Sequence, residues 1–280
     1  ASLFDPNNEK LSDFDVAHVF TAGHGNHQIV RSAKSVGIPV VLAAVVHLPW
    51  RRWDGFRAQL LDHGVGFLSN GSIKTTFGQE RSAMQMSDRV LAMGDRERKA
   101  IIDGYFVDPD AVSIVPNGIA DVFFDADETA FRERYNVRER FVLCVGSISS
   151  FKNQLRLITA LRNEDVEMVL IGPCEKENED YLRRCLAVGS SRVRHLGPLA
   201  HDDPLLASAY TAADVTVAPA RTEAGPNVAR ESLAAGTPVA VTKNNGLDFV
   251  PDGQVYETFD PSSETEIRTA ILKLLKHGGD

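Results

Sequence analysis

From Asp15 onward, short β-branched and apolar runs take turns with longer amphipathic runs, and this alternation constrains the fold more than any other feature of the chain. Parallel strands buried on both faces read as continuous apolar runs, and each needs a crossover helix to return the chain to the same edge of the sheet. Strands are expected over 16–20, 39–46, 90–93 and 112–115, with helices over 26–35 and 96–103 among them. The segment PNGIADVFFDADE, 116–128, then interrupts the pattern with a proline, an Asn-Gly turn signal and a run of acids, and is read as the crossing between two domains. A second series follows, with strands over 141–145, 167–171, 193–196, 215–218 and 238–242. Helices are expected between them over 153–162, 179–187, 205–212 and 227–234, and a closing helix over 263–277. The expected fold is α/β, with two Rossmann-like doubly wound domains over 1–120 and 121–280. The first series is the shorter, so the N-terminal domain is expected to be incomplete.

Composition removes several function classes. A chain of 280 residues that is 43% hydrophobic has apolar material for two cores. Its formal net charge of -8 argues against the nucleic-acid backbone as main partner, because that binding needs clustered Lys and Arg. A small anionic ligand needs only a local site. The cysteines Cys144, Cys174 and Cys185 form no C-x-x-C pair and suggest neither a disulfide framework nor a zinc site. No apolar run approaches the roughly 18 residues of a membrane span, and the start ASLFDPNNEK has neither the basic flank nor the apolar core of a signal peptide. A cytoplasmic protein is therefore expected. The start at Ala in a polar segment fits a processed product or a fragment.

In open α/β sheets a ligand sits outside the carboxyl ends of the strands, so the residues just after each strand are the informative ones. The loop VGSISSFKN ends a strand at Gly146, turns through Ser147 and delivers Lys152 to the start of the next helix. A lysine there can face a phosphate together with unpaired backbone N–H groups. The segment APARTEAGPNVARESLAAGTPV places Glu223 before a Gly-Pro turn and Glu231 about one turn into a helix. Pro226 is expected in the first helical turn, with the N–H groups of Gly225, Asn227 and Val228 facing the sheet edge where a diphosphate would lie. Glu231 is placed to accept ribose hydroxyls, and Glu223 lies nearer the cleft. Taken singly, each glutamate is as well explained by the helix dipole.

The conjunction of E-x7-E, Gly-Pro-Asn and the trailing AAGTPV resembles the hallmark of retaining nucleotide-sugar glycosyltransferases with the GT-B fold, a family that includes sucrose synthase-like enzymes and bacterial polysaccharide mannosyltransferases. FDVAHVF, GIPVVLAAVVH, SDRVLAMGDRERKAI, VSIVPNGI, LIGP and HLGPL follow in the family's order. The resemblance implies that Lys152 contacts the donor diphosphate, Glu223 the donor sugar, and Glu231 the ribose. It also implies that His47, after the strand IPVVLAAVV, lies near the reacting carbon; a buried structural histidine is the competing reading. The chain departs from the family at Ser147 and Phe151, where an arginine is common, and Arg221 would replace that cation only if its loop folds inward. Residues 1–13 also lack the strand, Gly-rich loop and helix that open the family's N-terminal domain.

The resemblance implies transfer of a sugar from a nucleoside diphosphate to a saccharide or lipid-linked acceptor hydroxyl, with retention at the anomeric carbon. No metal or other cofactor is expected. Two alternatives stand beside it: a non-catalytic binding or scaffolding protein on the same fold, and a nucleotide-sugar epimerase or phosphorylase. Asp13 and Asp15 resemble a metal-binding D-x-D but precede a strand, and His24 and His27, which could share a helix face, have no further ligand candidates nearby. Trp50, Arg51, Arg52 and Trp53 form a basic-aromatic cluster, read as an ordinary surface cluster in preference to a peripheral membrane contact.

Overall fold

The computed structural model describes residues 2–5, 7–46, 50–70, 72–223, 225–245 and 255–277. The chain divides into two compact units, Ala1–Pro116 and Asn117–Asp280.

The N-terminal unit runs β1 (Ala17–Phe20), α1 (His27–Ser35), β2 (Val40–Ala43), α2 (Arg52–Leu68), α3 (Thr76–Met86), β3 (Arg89–Ala92), α4 (Asp95–Tyr105) and β4 (Val112–Ile114). Its described strands make a parallel sheet in the order β1-β2-β3-β4. Val30, Val40, Leu42, Val90 and Ile101 are fully buried in its core. The strand expected over 39–46 stops at Ala43, because Val45 turns to a φ of 49° and the next amide leaves the ladder. The Val46 N–H instead donates to Glu97 Oε1 at 2.9 Å, while the Met93 N–H donates to Oε2 at 2.6 Å. Glu97 is fully buried, and burial pushes its carboxyl up against the pull of those donors. One glutamate thus receives the chain as it leaves two neighbouring strands. Glu97→Ala removes the carboxylate acceptor of a buried N–H group at Val46 and of a part-buried one at Met93, and is expected to destabilise this unit by about 1–3 kcal/mol, read by urea unfolding.

Helices α2 and α3 were not expected from the sequence. Glycines at 55, 64 and 66 and a scatter of exposed apolar residues blur the periodicity of α2. Gly55 has a structural reason: a Cβ there would come within 1.9 Å of the Gly104 carbonyl oxygen, so α2 and α4 meet backbone to backbone. The basic-aromatic cluster divides. Trp50 packs against Phe77 and Tyr105 at ring separations of 5.5 and 5.4 Å, whereas Trp53 is 66% exposed and stacks on Phe56. His24 and His27 share no helix face, because α1 begins at His27 and His24 lies in the preceding turn.

The C-terminal unit runs α5 (Thr129–Tyr135), β5 (Phe141–Val145), α6 (Gln154–Leu161), β6 (Glu167–Ile171), α7 (Glu179–Gly189), β7 (Val193–His195), α8 (Pro204–Ala212), β8 (Val215–Ala218), α9 (Asn227–Ala234), β9 (Val239–Thr242), β10 (Tyr256–Phe259) and α10 (Glu264–His277). Its described strands form a parallel sheet in the order β10-β9-β8-β5-β6-β7. Strand side chains alternate between faces, so Val142 and Leu170 enter one core layer with Leu157 and Ile271, while Leu143 and Val169 enter the other with Phe131 and Tyr210. The sheet is therefore covered on both sides by helices, which explains the continuous apolar runs of β5 and β6. Chain order reverses between β5 and β8, and such a reversal opens a crevice at the carboxyl ends of the two strands.

Beside that crevice, β5 and β6 end on glycines. Gly172 has a φ of 151°, and a Cβ on it would lie 2.1 Å from the Gly146 carbonyl oxygen. The Gly of LIGP is thus required by the close approach of the loop that follows β5.

Candidate functional site

At the carboxyl ends of β5 and β8 lies a cavity of about 220 Å³, with Val145 and Ala218 on its floor and Lys152, Glu223, Asn227 and Val228 on its walls. Gly225 also lines it. Three local devices build this arrangement.

The first is the loop after β5. The Gly146 N–H donates to Ile171 O and the Ile148 N–H to Pro173 O, both at 2.8 Å, which ties the loop to the end of β6. Asn153 then takes a left-handed conformation, φ 64°, and its buried side-chain amide donates to Pro219 O at 3.1 Å and Pro261 O at 2.9 Å. Because of that turn, α6 starts at Gln154, one residue later than expected. Lys152 consequently sits in the turn before the helix and not in its first turn. Gln154 closes the loop from inside, its amide donating to Ser147 O at 2.9 Å.

The second device is the segment after β8. The Glu223 N–H donates to Asn244 O at 2.9 Å, a bridge that extends the β8–β9 pairing beyond both strands. This holds the Glu223 carboxylate toward Lys152, and Lys152 Nζ meets Glu223 Oε1 at 2.5 Å. The lysine side chain is 31% exposed and the glutamate 18%, so the pair is partly shielded from solvent.

The third is the start of α9. Pro226 was expected in the first turn but occupies the cap position, φ −70° and ψ 89°, with no side-chain cap. Helix geometry leaves the N–H groups of Asn227 and Val228 without intrahelical acceptors, and the helix dipole adds partial positive charge there. Asn117, from the Asn-Gly turn, donates its side-chain amide to Asn227 Oδ1 at 2.9 Å, and its carbonyl accepts from Arg230 at 3.2 Å. The turn read only as a domain crossing thus also braces this helix end.

Glu231 lies on α9 but does not line the cavity. Its side chain is 6% exposed, Oε2 accepts from the Tyr210 hydroxyl at 2.6 Å, and Oε1 is 3.6 Å from His201 Nδ1. Gly146 and Ser147 are set back from the cavity walls as well, Ser147 being exposed. Phe151 and Arg221 are both exposed, so among the described residues Lys152 is the cation that lines the cavity. His47 lies outside the described residues. Among the described residues, no group of three or more His, Cys, Asp or Glu is placed to share a metal ion, and no helix is long and apolar enough to cross a membrane.

Cys144 contributes to the cavity floor yet is only 4% exposed, and burial pushes its thiol up to about 12. Cys185 is fully buried and pushed up to about 11 for the same reason, whereas Cys174 is partly exposed. Thiol titration with a chromogenic disulfide at pH 8 is expected to report Cys174 rapidly in the native protein, and Cys144 and Cys185 only after unfolding.

Sequence reasoning missed Tyr210, Asn153, Gln154 and Asn117. Tyr210 lies in an apolar helix where its ring passes for core, and the other three act through backbone carbonyls and amide pairings that leave no spacing pattern.

Residues 139–277 match the family described as Glycosyl transferases group 1. The chain is 33% identical over 213 residues to a D-inositol 3-phosphate glycosyltransferase of Streptosporangium roseum, covering 69% of this chain and 49% of that protein. It is 31% identical over 184 residues to the protein of that description from Mycobacterium tuberculosis, covering 62% of this chain and 38% of the relative. The chain thus spans about half or less of the length of these curated relatives. Among solved structures, Anabaena HepE in complex with UDP and glucose superposes with a TM-score of 0.73 at 18% identity, covering 95% of this chain and 72% of that one. Sucrose-phosphate synthase from Thermosynechococcus elongatus gives 0.69 at 18% identity, with coverages of 95% and 68%. At such identities these likenesses speak for the shared GT-B fold. The chain thus has the parallel α/β sheets of the GT-B fold, and its C-terminal unit is similar over 139–277 to the group 1 glycosyltransferases.

Proposed function

We propose that this chain is a glycosyltransferase that moves a sugar from a nucleoside diphosphate to an acceptor hydroxyl with retention of anomeric configuration. The observation that carries the reading is one cavity at the sheet's reversal point walled by Lys152, Glu223 and the start of α9. A diphosphate in it would meet the lysine ammonium and the free N–H groups of Asn227 and Val228, and the dipole of α9 would favour its charge. Glu223 then faces the donor sugar and Glu231 the ribose. HepE, solved with UDP-glucose, supports a nucleotide sugar as the donor class, and the curated glycosyltransferases support glycosyl transfer.

In the reaction the bond from the anomeric carbon to the diphosphate oxygen breaks, and a bond to the acceptor oxygen forms on the same face of the sugar. The acceptor proton passes to the leaving phosphate. Lys152 and the α9 N–H groups stabilise the charge that develops on that phosphate, the kind of preorganised electrostatic assistance that commonly dominates catalysis. Glu223 positions the sugar, and His47 is assigned a place near the reacting carbon from the family resemblance alone. The reading routes no step through a metal.

A second reading, nucleotide-sugar binding without turnover, is favoured by one observation: Lys152 is the cavity's cation among the described residues and is already paired with Glu223. Incubation with a panel of nucleotide sugars, followed by NMR of the anomeric proton, separates the two. Transfer or slow hydrolysis that keeps the donor's anomeric configuration is the expected result. Inversion contradicts retention, and binding with no bond cleavage favours the second reading.

A further inference from the structure

Glu231 is held by more than its helix. Tyr210, on α8, is fully buried, and its hydroxyl donates to Glu231 Oε2 at 2.6 Å. The tyrosine has little freedom: its ring packs edge-on against Phe123 at 5.7 Å, and its own carbonyl accepts from the Thr237 hydroxyl at 2.6 Å. A glutamate's terminal torsion is soft, so an otherwise free carboxylate would present either oxygen, or both, to a ligand. Here one oxygen is committed to a charge-assisted bond inside the core, and the other, Oε1, points toward the exposed His201 without a direct hydrogen bond, at 3.6 Å. Burial and the adjacent carboxylate raise the Tyr210 phenol well above its ordinary value, so it remains a donor.

We propose that Tyr210 is a positioning residue that fixes the Glu231 carboxylate so that Oε1 alone meets the ligand, making Glu231 a one-oxygen reader of a ribose hydroxyl. This rests on the reading of Glu231 as the ribose contact and adds how the contact is made selective. A carboxylate open at both oxygens could chelate a vicinal diol; one with Oε2 occupied accepts at a single point of fixed direction. The ribose contact thereby depends on a residue that never touches the ligand.

The test measures the affinity of UDP and GDP, and of their 2′,3′-dideoxy counterparts, for wild type, Tyr210→Phe, Glu231→Ala and the double variant, with thermal unfolding as a check on folding. Tyr210→Phe is expected to weaken the ribonucleotide about tenfold, the order of one lost charge-assisted bond, and to leave the dideoxy analogue unchanged. In the Glu231→Ala background the same substitution should add nothing, as a coupled pair requires. Glu231→Gln keeps the test decisive if Tyr210→Phe fails to fold. The tyrosine claims the amide oxygen and turns the NH2 toward the ligand, where it can only donate to a ribose hydroxyl oxygen and no longer accepts a charge-assisted bond, so Gln is expected to discriminate ribose less than wild type. A wild type that prefers the ribonucleotide, with Tyr210→Phe or Glu231→Gln preferring it equally, overturns the positioning role alone. A wild type that binds both forms equally overturns it together with the ribose contact.

Discussion

Gly172→Ala is expected to destabilise the C-terminal unit by about 3–4 kcal/mol, the sum of a left-side backbone penalty and an overpacking clash. The new Cβ would lie 2.1 Å from the Gly146 carbonyl oxygen, and both partners are backbone, so neither can yield by changing a rotamer. The φ of 151° adds strain that an L side chain rarely tolerates. Relief requires the loop after β5 to move away from the end of β6, breaking the Gly146 and Ile148 amide bonds that seat it. Urea unfolding should show the loss of stability. Whatever fraction remains folded at low temperature should carry a displaced Lys152 and bind nucleotide weakly. Gly37→Ala is a control, because a Cβ there meets nothing within 4 Å although φ is 81°. It should cost the backbone penalty alone, about 1–2 kcal/mol.

The second large effect separates the two partners of the Lys152–Glu223 ion pair. Removal of the cation in Lys152→Ala is expected to weaken nucleoside diphosphate binding about 10- to 100-fold, the range of one or two hydrogen bonds to a charged group. Removal of the anion in Glu223→Gln should do the opposite for the free diphosphate. The carboxylate at 2.5 Å competes with phosphate for the same ammonium, and without it Lys152 is released to the ligand. A gain of about three- to tenfold in affinity is expected, in keeping with a partly shielded ion pair. For the intact nucleotide sugar Glu223→Gln should lose turnover, because the proposed contact of the carboxylate with the donor sugar is weakened. Both titrations should be repeated in 0.5 M NaCl, where the gain in Glu223→Gln is expected to shrink as the ion pair it removes is screened.

The strands of both units except β10, and the loops that bear Lys152 and Glu223, were legible because parallel strands buried on two faces leave long apolar runs and a ligand site must follow their carboxyl ends. Several of the differences trace to single residues. In α2, Gly55 is chosen for a close helix crossing and not for helix propensity, so its pattern argues against the helix that forms. The shortened β2 and the delayed start of α6 turn on single residues in left-handed conformations, Val45 and Asn153, which no periodicity predicts. Glu97 and Tyr210 look like a surface acid and a core ring in sequence. Only the structure shows that the first is buried between two strand ends and that the second is hydrogen-bonded to Glu231.

The central claim is that the cavity at the reversal point holds a nucleoside diphosphate, and isothermal titration with UDP, GDP and ADP tests it most directly. At least one should bind wild type at one site per chain, with the affinity lowered in both Lys152→Ala and Glu231→Ala. If none of the three binds, or if binding is the same in wild type and both variants, the cavity is not the donor site.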